Sequence, residues 1–364
     1  MKRILLILLA IIVVGATAFA NGDSESQKKG EKPYIAVVSK GEQHQFWQQV
    51  KRGSMDAAKD YNLDVTFEGP PSESDVQIQV EMLNNAMAKN PVAICLAALD
   101  TTSVIDQLTE LKKKGIPVVG FDSGVPNAPA GSIVANAATD NYNAAGIAAE
   151  KMFSQIKDKI EAATEASPLT IVVLNQDASG ESLLSRGKGF RDKMVELIDS
   201  QTGLSKSDIS VIGSPAYIAS DSPTSGKKVF IDMIVPASAA TTDAAAAASA
   251  MLNKVDDKNI VGVFCSNEGT VNGLLAATND GADLKSKYDL VVIGYDAGAG
   301  QKNAVREGLF YGSITQDPYQ IGYKAVELAY KAYKGEPVQD VDTGAKFYDK
   351  NNMDDPDIAP LLYD

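Results

Sequence analysis

The segment VAICLAALDTTSVIDQLTELKKKGIPVVGFD (residues 92–122) contains two apolar runs, VAICLA and IPVVGF, on either side of a helix-length stretch. Both runs are continuously apolar, which is typical of parallel strands covered by helices on both faces. The stretch between them, Thr102–Lys114, has helical periodicity and stops at Gly115, a common helix terminator. The segment therefore predicts one strand-helix-strand unit of a parallel sheet.

The same alternation continues in both directions along the chain. Strands are predicted at Tyr34–Ser39, Leu63–Phe67, Val92–Ala97, Ile116–Phe121, Ser132–Ala135, Leu169–Leu174, Ile260–Cys265, Leu290–Ile293 and Phe310–Thr315, with Val229–Val235 as a candidate extra strand. Helices are predicted at Phe46–Tyr61, Ser74–Lys89, Thr102–Lys114, Asn141–Ile156, Leu183–Ile198, Thr242–Leu252, Val271–Thr278, Ala299–Glu307 and Pro318–Tyr333. About ten strands fit two parallel sheets of about five, because one ordinary doubly wound sheet holds fewer. The Pro-, Ser- and Gly-rich stretch 213–238 is either a surface excursion or the rim of a site.

Composition excludes several functional classes. The 364 residues carry 34 Lys and Arg against 47 Asp and Glu, a formal charge of −13, which argues against a nucleic-acid surface. His44 is the only histidine, so a His-rich zinc site is excluded, and a histidine-dependent nucleophile would have to use that residue. Cys95 and Cys265 are too few for a disulfide framework and are predicted to be small buried apolar residues. No catalytic residue, metal or cofactor is expected.

The N-terminus has the pattern of an export signal. Two basic residues precede the apolar run Ile4–Val14, and the tripeptide AFA (18–20) offers small residues at the two cleavage-determining positions. We therefore expect a signal peptide cleaved after Ala20, followed by a flexible polar leader at 21–32. The alternative is a transmembrane anchor, but the apolar stretch is at the lower edge of the length that spans a bilayer. No cysteine follows the run to accept a lipid anchor, so the predicted location is a periplasm between two membranes.

Residues that follow the predicted strands are the candidates for a site, because ligands of open α/β sheets bind beyond the carboxyl ends of the strands. Nearly every strand is followed by a polar side chain, and the first strand is also followed by two aromatic residues. The candidates are His44, Phe46, Trp47, Asp122, Ser123, Arg186, Asn267, Asp296 and Gln316. Carboxylates, Arg, Asn and Gln can serve a polyhydroxylated ligand as donors and acceptors, and aromatic faces suit the apolar face of a sugar ring.

Most of these candidates also have a structural interpretation. The two aspartates and Asn267 could cap loops or helices. Phe46 and Trp47 could be core residues, although neighbours on a helix point about 100° apart and are not expected to be equally buried. Further structural roles are open for other polar residues: Arg186 as a surface cation, Gln316 as a hydrogen-bonding hinge residue, Glu268 as a solvated residue, and Asp140 and Asn141 as hinge or helix-capping residues.

Short motifs in a fixed order resemble the ribose-type periplasmic sugar-binding proteins, the solute receptors of ABC transporters. The motifs are IAVVSKG…FW…VKRG (35–53), GIPVVGFDSG (115–124), ATDN (138–141), RGKGF (186–190), VFCSNEG (263–269), VVIGYD (291–296) and SITQDPYQIG (313–322). The resemblance covers nearly all of residues 33–350. It implies two flavodoxin-like domains joined by a three-segment hinge, with the ligand in the cleft between them. The implied N-terminal lobe is 33–138 plus 317–338, and the C-terminal lobe is 139–316 plus 339–364.

The resemblance also implies roles for individual residues. Phe46 and Trp47 resemble the aromatic pair that sandwiches the sugar ring, and His44 stands where a ligand-binding Asn is usual. The matches to the family's polar sugar ligands are Asp122, Arg186, Asn267, Asp296 and Gln316. Ser123 stands where ribose receptors carry Arg, and small residues around Ala239 replace an aromatic of the second lobe. These departures leave a pentose, a hexose and a deoxyhexose open as ligands.

The implied function is a periplasmic receptor that closes on a monosaccharide and delivers it to a membrane permease. Whether a chemoreceptor also reads the closed form stays open. One alternative is a receptor for a nucleoside or signalling molecule on the same fold. A sugar-active enzyme is disfavoured because no Gly-x-Gly-x-x-Gly follows a strand, no P-loop occurs and GFDSG (120–124) is not a nucleophile elbow. A transcription-factor effector domain would need a basic helix-turn-helix before residue 34, where a signal peptide is predicted.

Overall fold

The computed structural model of the chain describes residues 32–218 and 223–363. The signal peptide, its cleavage after Ala20 and nearly all of the polar leader fall outside the described residues and stay predictions. Within the described ranges, no helix combines the length and apolar character that crossing a membrane requires.

Thirteen strands and ten α-helices make up the regular structure of the described residues. The strands are β1 (Tyr34–Val38), β2 (Asp64–Glu68), β3 (Ala93–Leu96), β4 (Val118–Phe121), β5 (Ile133–Ala138), β6 (Leu169–Leu174), β7 (Ile209–Gly213), β8 (Val229–Ile234), β9 (Ile260–Cys265), β10 (Val291–Tyr295), β11 (Gly312–Gln316), β12 (Val341–Asp342) and β13 (Ala345–Tyr348). The helices are α1 (Gln45–Asp60), α2 (Val76–Ala88), α3 (Ile105–Lys114), α4 (Asn141–Glu161), α5 (Glu181–Gln201), α6 (Thr241–Leu252), α7 (Val255–Lys258), α8 (Glu268–Ala277), α9 (Ala299–Arg306) and α10 (Pro318–Tyr333). Every strand and helix predicted from the sequence is present, with ends shifted by a few residues.

The strands form two sheets, in the orders β12-β5-β4-β3-β1-β2 and β13-β11-β10-β9-β6-β8-β7. Every described pairing is parallel except that of β13 with β11. The centre of each sheet repeats the flavodoxin-like order 2-1-3-4-5, so the predicted fold class of two parallel-sheet lobes is confirmed. Each sheet exceeds the expected five strands because β7, β12 and β13 extend the edges.

The stretch 213–238 supplies part of the second sheet. The candidate extra strand is confirmed as β8, which pairs with β6 on one side and with β7 on the other. Tyr217, in the loop between β7 and β8, is buried, and its hydroxyl lies 2.5 Å from the Nδ2 of Asn175, just after β6. The described part of the stretch 213–238 therefore packs against the second lobe.

The chain passes between the two sheets three times: after β5, after β11 and between β12 and β13. Helix α10 packs on α1 and on β3, β4 and β5, which places it with the first sheet. Val341–Asp342 pairs with Ala137–Ala138 of β5, so the expected start of the last second-lobe segment at residue 339 is too early. A two-residue strand has no apolar run that the sequence pattern could reveal.

Helices α1 and α10 approach each other closely where two glycines face the opposite helix. A Cβ atom on Gly53 would collide with the Tyr319 carbonyl, and one on Gly322 would collide with the Val50 carbonyl. This close packing fixes α1 against the first lobe, and the first turn of α1 carries two of the candidate residues.

Candidate functional site

A cavity lies between the carboxyl ends of the two sheets. Eight of the nine candidate residues line it: His44, Phe46, Trp47, Asp122, Arg186, Asn267, Asp296 and Gln316. Four residues outside the candidate set also line it: Lys40, Glu73, Leu183 and Glu268.

Asp122 and Asp296 occupy equivalent positions in the two lobes. Each follows the fourth strand of a flavodoxin-like sheet, in the sequences GFD (120–122) and GYD (294–296). Both have a positive φ, 54° and 79°, a conformation that non-glycine residues adopt rarely and that is concentrated at functional sites. The repeated turn brings one carboxylate from each lobe to the same cavity.

The carboxylate of Asp296 is held by two hydrogen bonds. Its Oδ1 accepts from Gln316 Nε2 at 2.7 Å, and its Oδ2 accepts from the backbone N–H of Glu268 at 3.0 Å. Asp296 therefore supports the first turn of α8, a helix that precedes it in the chain, and lines the cavity as well. Its position is fixed before any ligand arrives.

Asp122 has a different environment, because its closest charged neighbour is Lys40, with Nζ 3.8 Å from Oδ2. Burial raises the pKa of Asp122 to about 6, although Lys40 and Arg186 act in the opposite direction. At neutral pH the carboxylate is mostly ionised and can accept hydrogen bonds from hydroxyl groups in the cavity.

Glu73 is the centre of a buried hydrogen-bonded group that joins the lobes. Its Oε1 accepts from Trp47 Nε1 at 2.7 Å, and its Oε2 accepts from Gln176 Nε2 at 2.7 Å. Burial opposes ionisation, but Lys40, His44 and these two hydrogen bonds outweigh it and lower the pKa of Glu73. Glu73 therefore fixes the indole of Trp47 and binds the opposite lobe.

Arg186 is buried on the first half of α5, which rules out its interpretation as a surface cation. Its Nε donates to Asn141 Oδ1 at 2.8 Å, and its Nη1 donates to the carbonyl of Ser266 at 3.0 Å. The guanidinium carbon lies 3.8 Å from the ring centroid of Tyr295, a cation–π distance. Burial acts to lower the pKa of Arg186, but Tyr295, Asp296 and Asp122 raise it overall. The guanidinium therefore stays positively charged.

Phe46 and Trp47 are both almost fully buried, which corrects the expectation that they could not be equally buried. Helix α1 begins at Gln45, so both aromatics lie in its first turn, where the second lobe covers the side that the first lobe leaves open. Their rings meet edge to face with centroids 4.9 Å apart, and Trp47 meets Phe121 in the same way at 6.4 Å.

Three further candidates present polar groups to the cavity. Asn267 is the N-cap of α8, as its structural interpretation proposed: its Oδ1 accepts from Thr270 N at 3.0 Å, and its Nδ2 donates to Gln176 Oε1 at 2.6 Å. His44 Nε2 and Gln316 Oε1 are buried polar atoms with no hydrogen-bond partner among the described residues. Buried polar atoms are nearly always paired, so these two atoms are available to a ligand.

The structure places Ser123 and Glu268 differently from what the sequence predicts. Ser123 is not among the described residues that line the cavity; its buried Oγ accepts from Ser182 N of the second lobe at 3.4 Å. Glu268, expected to be solvated, is buried at the lobe boundary as the first residue of α8, and burial raises its pKa despite nearby His44. Asp140 caps α4 as predicted, by accepting from Asn143 N at 3.1 Å.

Comparison with known proteins agrees with this architecture. Residues 35–337 match the family model of the periplasmic binding protein domain. The chain belongs to this family. Among curated relatives, the D-allose-binding periplasmic protein of Escherichia coli is 23% identical, with 86% of this chain and 88% of the relative aligned. The ribose import binding protein of Salmonella typhimurium is 24% identical, with 91% and 93% aligned.

Solved structures of the periplasmic binding protein type are similar over nearly the whole chain. One, described as an ABC transporter, LacI family transcriptional regulator from Brachyspira murdochii, is 39% identical, with a TM-score of 0.75 and coverage of 92% of this chain and 99% of that one. A carbohydrate transporter solute-binding protein from Agrobacterium radiobacter, in complex with D-arabinose, is 27% identical, with a TM-score of 0.74 and coverage of 92% and 100%.

The site of this periplasmic binding protein is built from both lobes in contact. Glu73 of the first lobe bonds Gln176 of the second, and Lys40 Nζ of the first lies 3.4 Å from Ser182 Oγ of the second. The two lobes are therefore in contact beside the cavity that residues of both of them line. The described residues contain no group of three or more His, Cys, Asp or Glu arranged to hold a metal ion.

Proposed function

We propose that this protein is the substrate-binding component of an ABC sugar importer and binds one monosaccharide, a pentose, hexose or deoxyhexose, between its lobes. The observation that carries the proposal is the convergence of Asp122 and Asp296, one from each lobe, on one cavity. Arg186 and the aromatic pair complete a set of acceptors, a donor and apolar faces that matches a sugar ring. The relatives named for allose and ribose, and the solved structure in complex with D-arabinose, support the same ligand class.

In this mechanism the ligand changes the balance between two lobe positions. Sugar hydroxyls donate to the two aspartates, and the Arg186 guanidinium donates to a ring or hydroxyl oxygen. These contacts come from different lobes, so the ligand binds the closed form more tightly than the open form and shifts the population toward it. The closed form then presents both lobes to a membrane permease. Export by the predicted signal peptide would place the protein in the periplasm, where this role is needed.

The most direct screen for the ligand measures thermal stabilisation by a panel of aldoses, ketoses and 6-deoxyhexoses. A ligand at 100 times its Kd adds about 2.7 kcal/mol of stability, which a melting curve resolves easily. We expect one monosaccharide to stabilise the protein strongly and ribose not to rank first, because Ser123 replaces an arginine of the ribose receptors. A panel led by ribose would contradict this specificity. Stabilisation by nucleosides alone would favour the alternative receptor class.

Sugar affinity is expected to fall as pH decreases through about 6. The pKa of Asp122 is raised to about 6 by burial, and its ionised form is the one that accepts hydroxyl hydrogen bonds. Protonation removes that acceptor, so the Kd should rise about tenfold between pH 7.5 and pH 5 in titration calorimetry.

Asp122→Asn is the matched control for this pH dependence. It should bind about tenfold more weakly than the wild type at pH 7.5, because an uncharged amide replaces a charge-assisted acceptor. The affinity of Asp122→Asn should change little with pH. At pH 5 the wild type should therefore bind about as weakly as this variant does. Equal pH dependence in both proteins would assign the effect to another group.

A further inference from the structure

Two helices at the lobe boundary begin without a capping side chain of their own. His44, the N-cap residue of α1, makes no side-chain cap hydrogen bond within the described part of the chain. Gly298, the N-cap residue of α9, has no side chain to offer. The first backbone N–H groups of a helix have no partner inside the helix, and leaving them buried and unpaired is costly. Partners from elsewhere are therefore required when the lobes are together.

Each of these helix starts is capped by a side chain of the opposite lobe. The Glu268 carboxylate oxygens lie 3.4 Å from the N–H of Gln45 and 3.5 Å from the N–H of Phe46, at the start of α1. In return, Gln45 Oε1 accepts from the N–H of Ala299, the first residue of α9, at 2.9 Å. A buried carboxylate at a helix N-terminus also interacts favourably with the helix dipole.

The two caps meet at one glycine. A Cβ atom on Gly298 would lie 2.9 Å from Glu268 Oε1 and 3.1 Å from Gln45 Oε1, so the ends of these two side chains would have to move away from it. The backbone of Gly298 has a φ of −62°, which any residue adopts. Glycine at this position therefore serves the close approach of the two caps and not a special backbone conformation.

We propose that Gln45 and Glu268 form a reciprocal interlobe latch, in which each lobe caps a helix of the other and thereby stabilises the closed arrangement through contacts that do not involve the ligand. This inference rests on the lobe closure of the proposed function. Gln45 is not among the described residues that line the cavity, so its contact with Ala299 is separate from ligand binding. The latch raises the population of the closed form, and the apparent affinity for the sugar rises in proportion to that population.

Gly298→Ala and Gln45→Ala test the latch without altering a cavity-lining residue. Gly298→Ala pushes the caps apart, and Gln45→Ala removes the cap of α9. Each variant is expected to bind the sugar selected by the screen with unchanged 1:1 stoichiometry and about three- to tenfold more weakly, as loss of a helix cap predicts. Gly300→Ala is the matched control, because a Cβ atom there has no neighbour closer than 3.4 Å, and it should bind like the wild type.

Small-angle X-ray scattering of the full protein separates failure of the latch from failure of the proposed function. Without sugar, both latch variants should have a larger radius of gyration than the wild type and Gly300→Ala, and saturating sugar should close all four proteins. The latch is refuted if sugar closes the wild type but both latch variants have the same unliganded radius of gyration and the same Kd as the wild type. If no sugar binds or closes the wild type, the proposed function fails, and the unliganded radii alone decide on the latch.

Discussion

Arg186→Ala is expected to weaken sugar binding about ten- to a hundredfold. A charge-assisted hydrogen bond contributes roughly 1.5–3 kcal/mol, and 1.4 kcal/mol corresponds to a factor of ten in Kd. The guanidinium is held in place by Asn141, the Ser266 carbonyl and the Tyr295 ring, so it reaches the ligand without losing conformational freedom. Titration calorimetry with the sugar selected by thermal screening measures the loss.

Arg186→Lys and Arg306→Ala complete this experiment. Lysine keeps the charge but cannot reproduce the planar donor geometry or the stacking on Tyr295, so most of the affinity should stay lost. Arg306 also lies in the second lobe, but it is exposed and pairs with Asp354 on the surface, so Arg306→Ala should bind normally. A folded Arg186→Ala protein with wild-type affinity would remove this residue from the binding site.

Trp47→Ala is expected to have the largest combined effect on stability and binding. Truncation of a buried aromatic side chain costs roughly 3–5 kcal/mol, and here it also leaves Glu73 without one of its two hydrogen-bond donors. The same change removes an aromatic face from the cavity, so binding should fall beyond what the lower stability explains. Trp47→Phe keeps a ring and should retain much of the affinity, with a smaller loss from the missing Nε1–H donor.

The fluorescence of Trp47 distinguishes a role in the site from a role in the core alone. It is the only tryptophan of the chain, so all indole emission reports on this one position. Sugar should shift or quench the emission in a saturable manner that depends little on salt, because the ligand is uncharged. Unchanged emission, together with equal affinity in folded Trp47→Ala and wild type, would assign the residue to core packing.

Much of the fold could be predicted because buried parallel strands have an unmistakable sequence pattern. The run LTIVVL, for example, is β6, an interior strand of the second sheet, and is buried along its whole length. The strands that were missed are β7, β12 and β13, which lie at or near sheet edges. Val341–Asp342 is only two residues long, and its strand conformation depends on pairing with β5 rather than on its own apolar character. Edge strands of this kind are specified by tertiary contacts.

Three of the four cavity-lining residues outside the candidate set are charged residues whose burial depends on partners far away in the chain. Lys40 directly follows the first predicted strand and could have been found by the same rule that selected Asp122. Glu268 follows Asn267 behind a predicted strand and is within reach of the same rule, but it resembles a solvated residue because the start of α1, which buries it, belongs to the other lobe. Glu73 could not be found in this way, because its environment is created by Gln176 of the other lobe. Sequence position alone makes such residues indistinguishable from solvated charges.

A crystal structure of the protein with the sugar selected by thermal screening tests the central claim most directly. We expect one ring in the cavity between the lobes, with hydroxyl groups on Asp122 and Asp296, an oxygen on Arg186, and the apolar face of the ring against Phe46 or Trp47. A saturating sugar bound elsewhere, or bound through residues of one lobe only, would contradict the account.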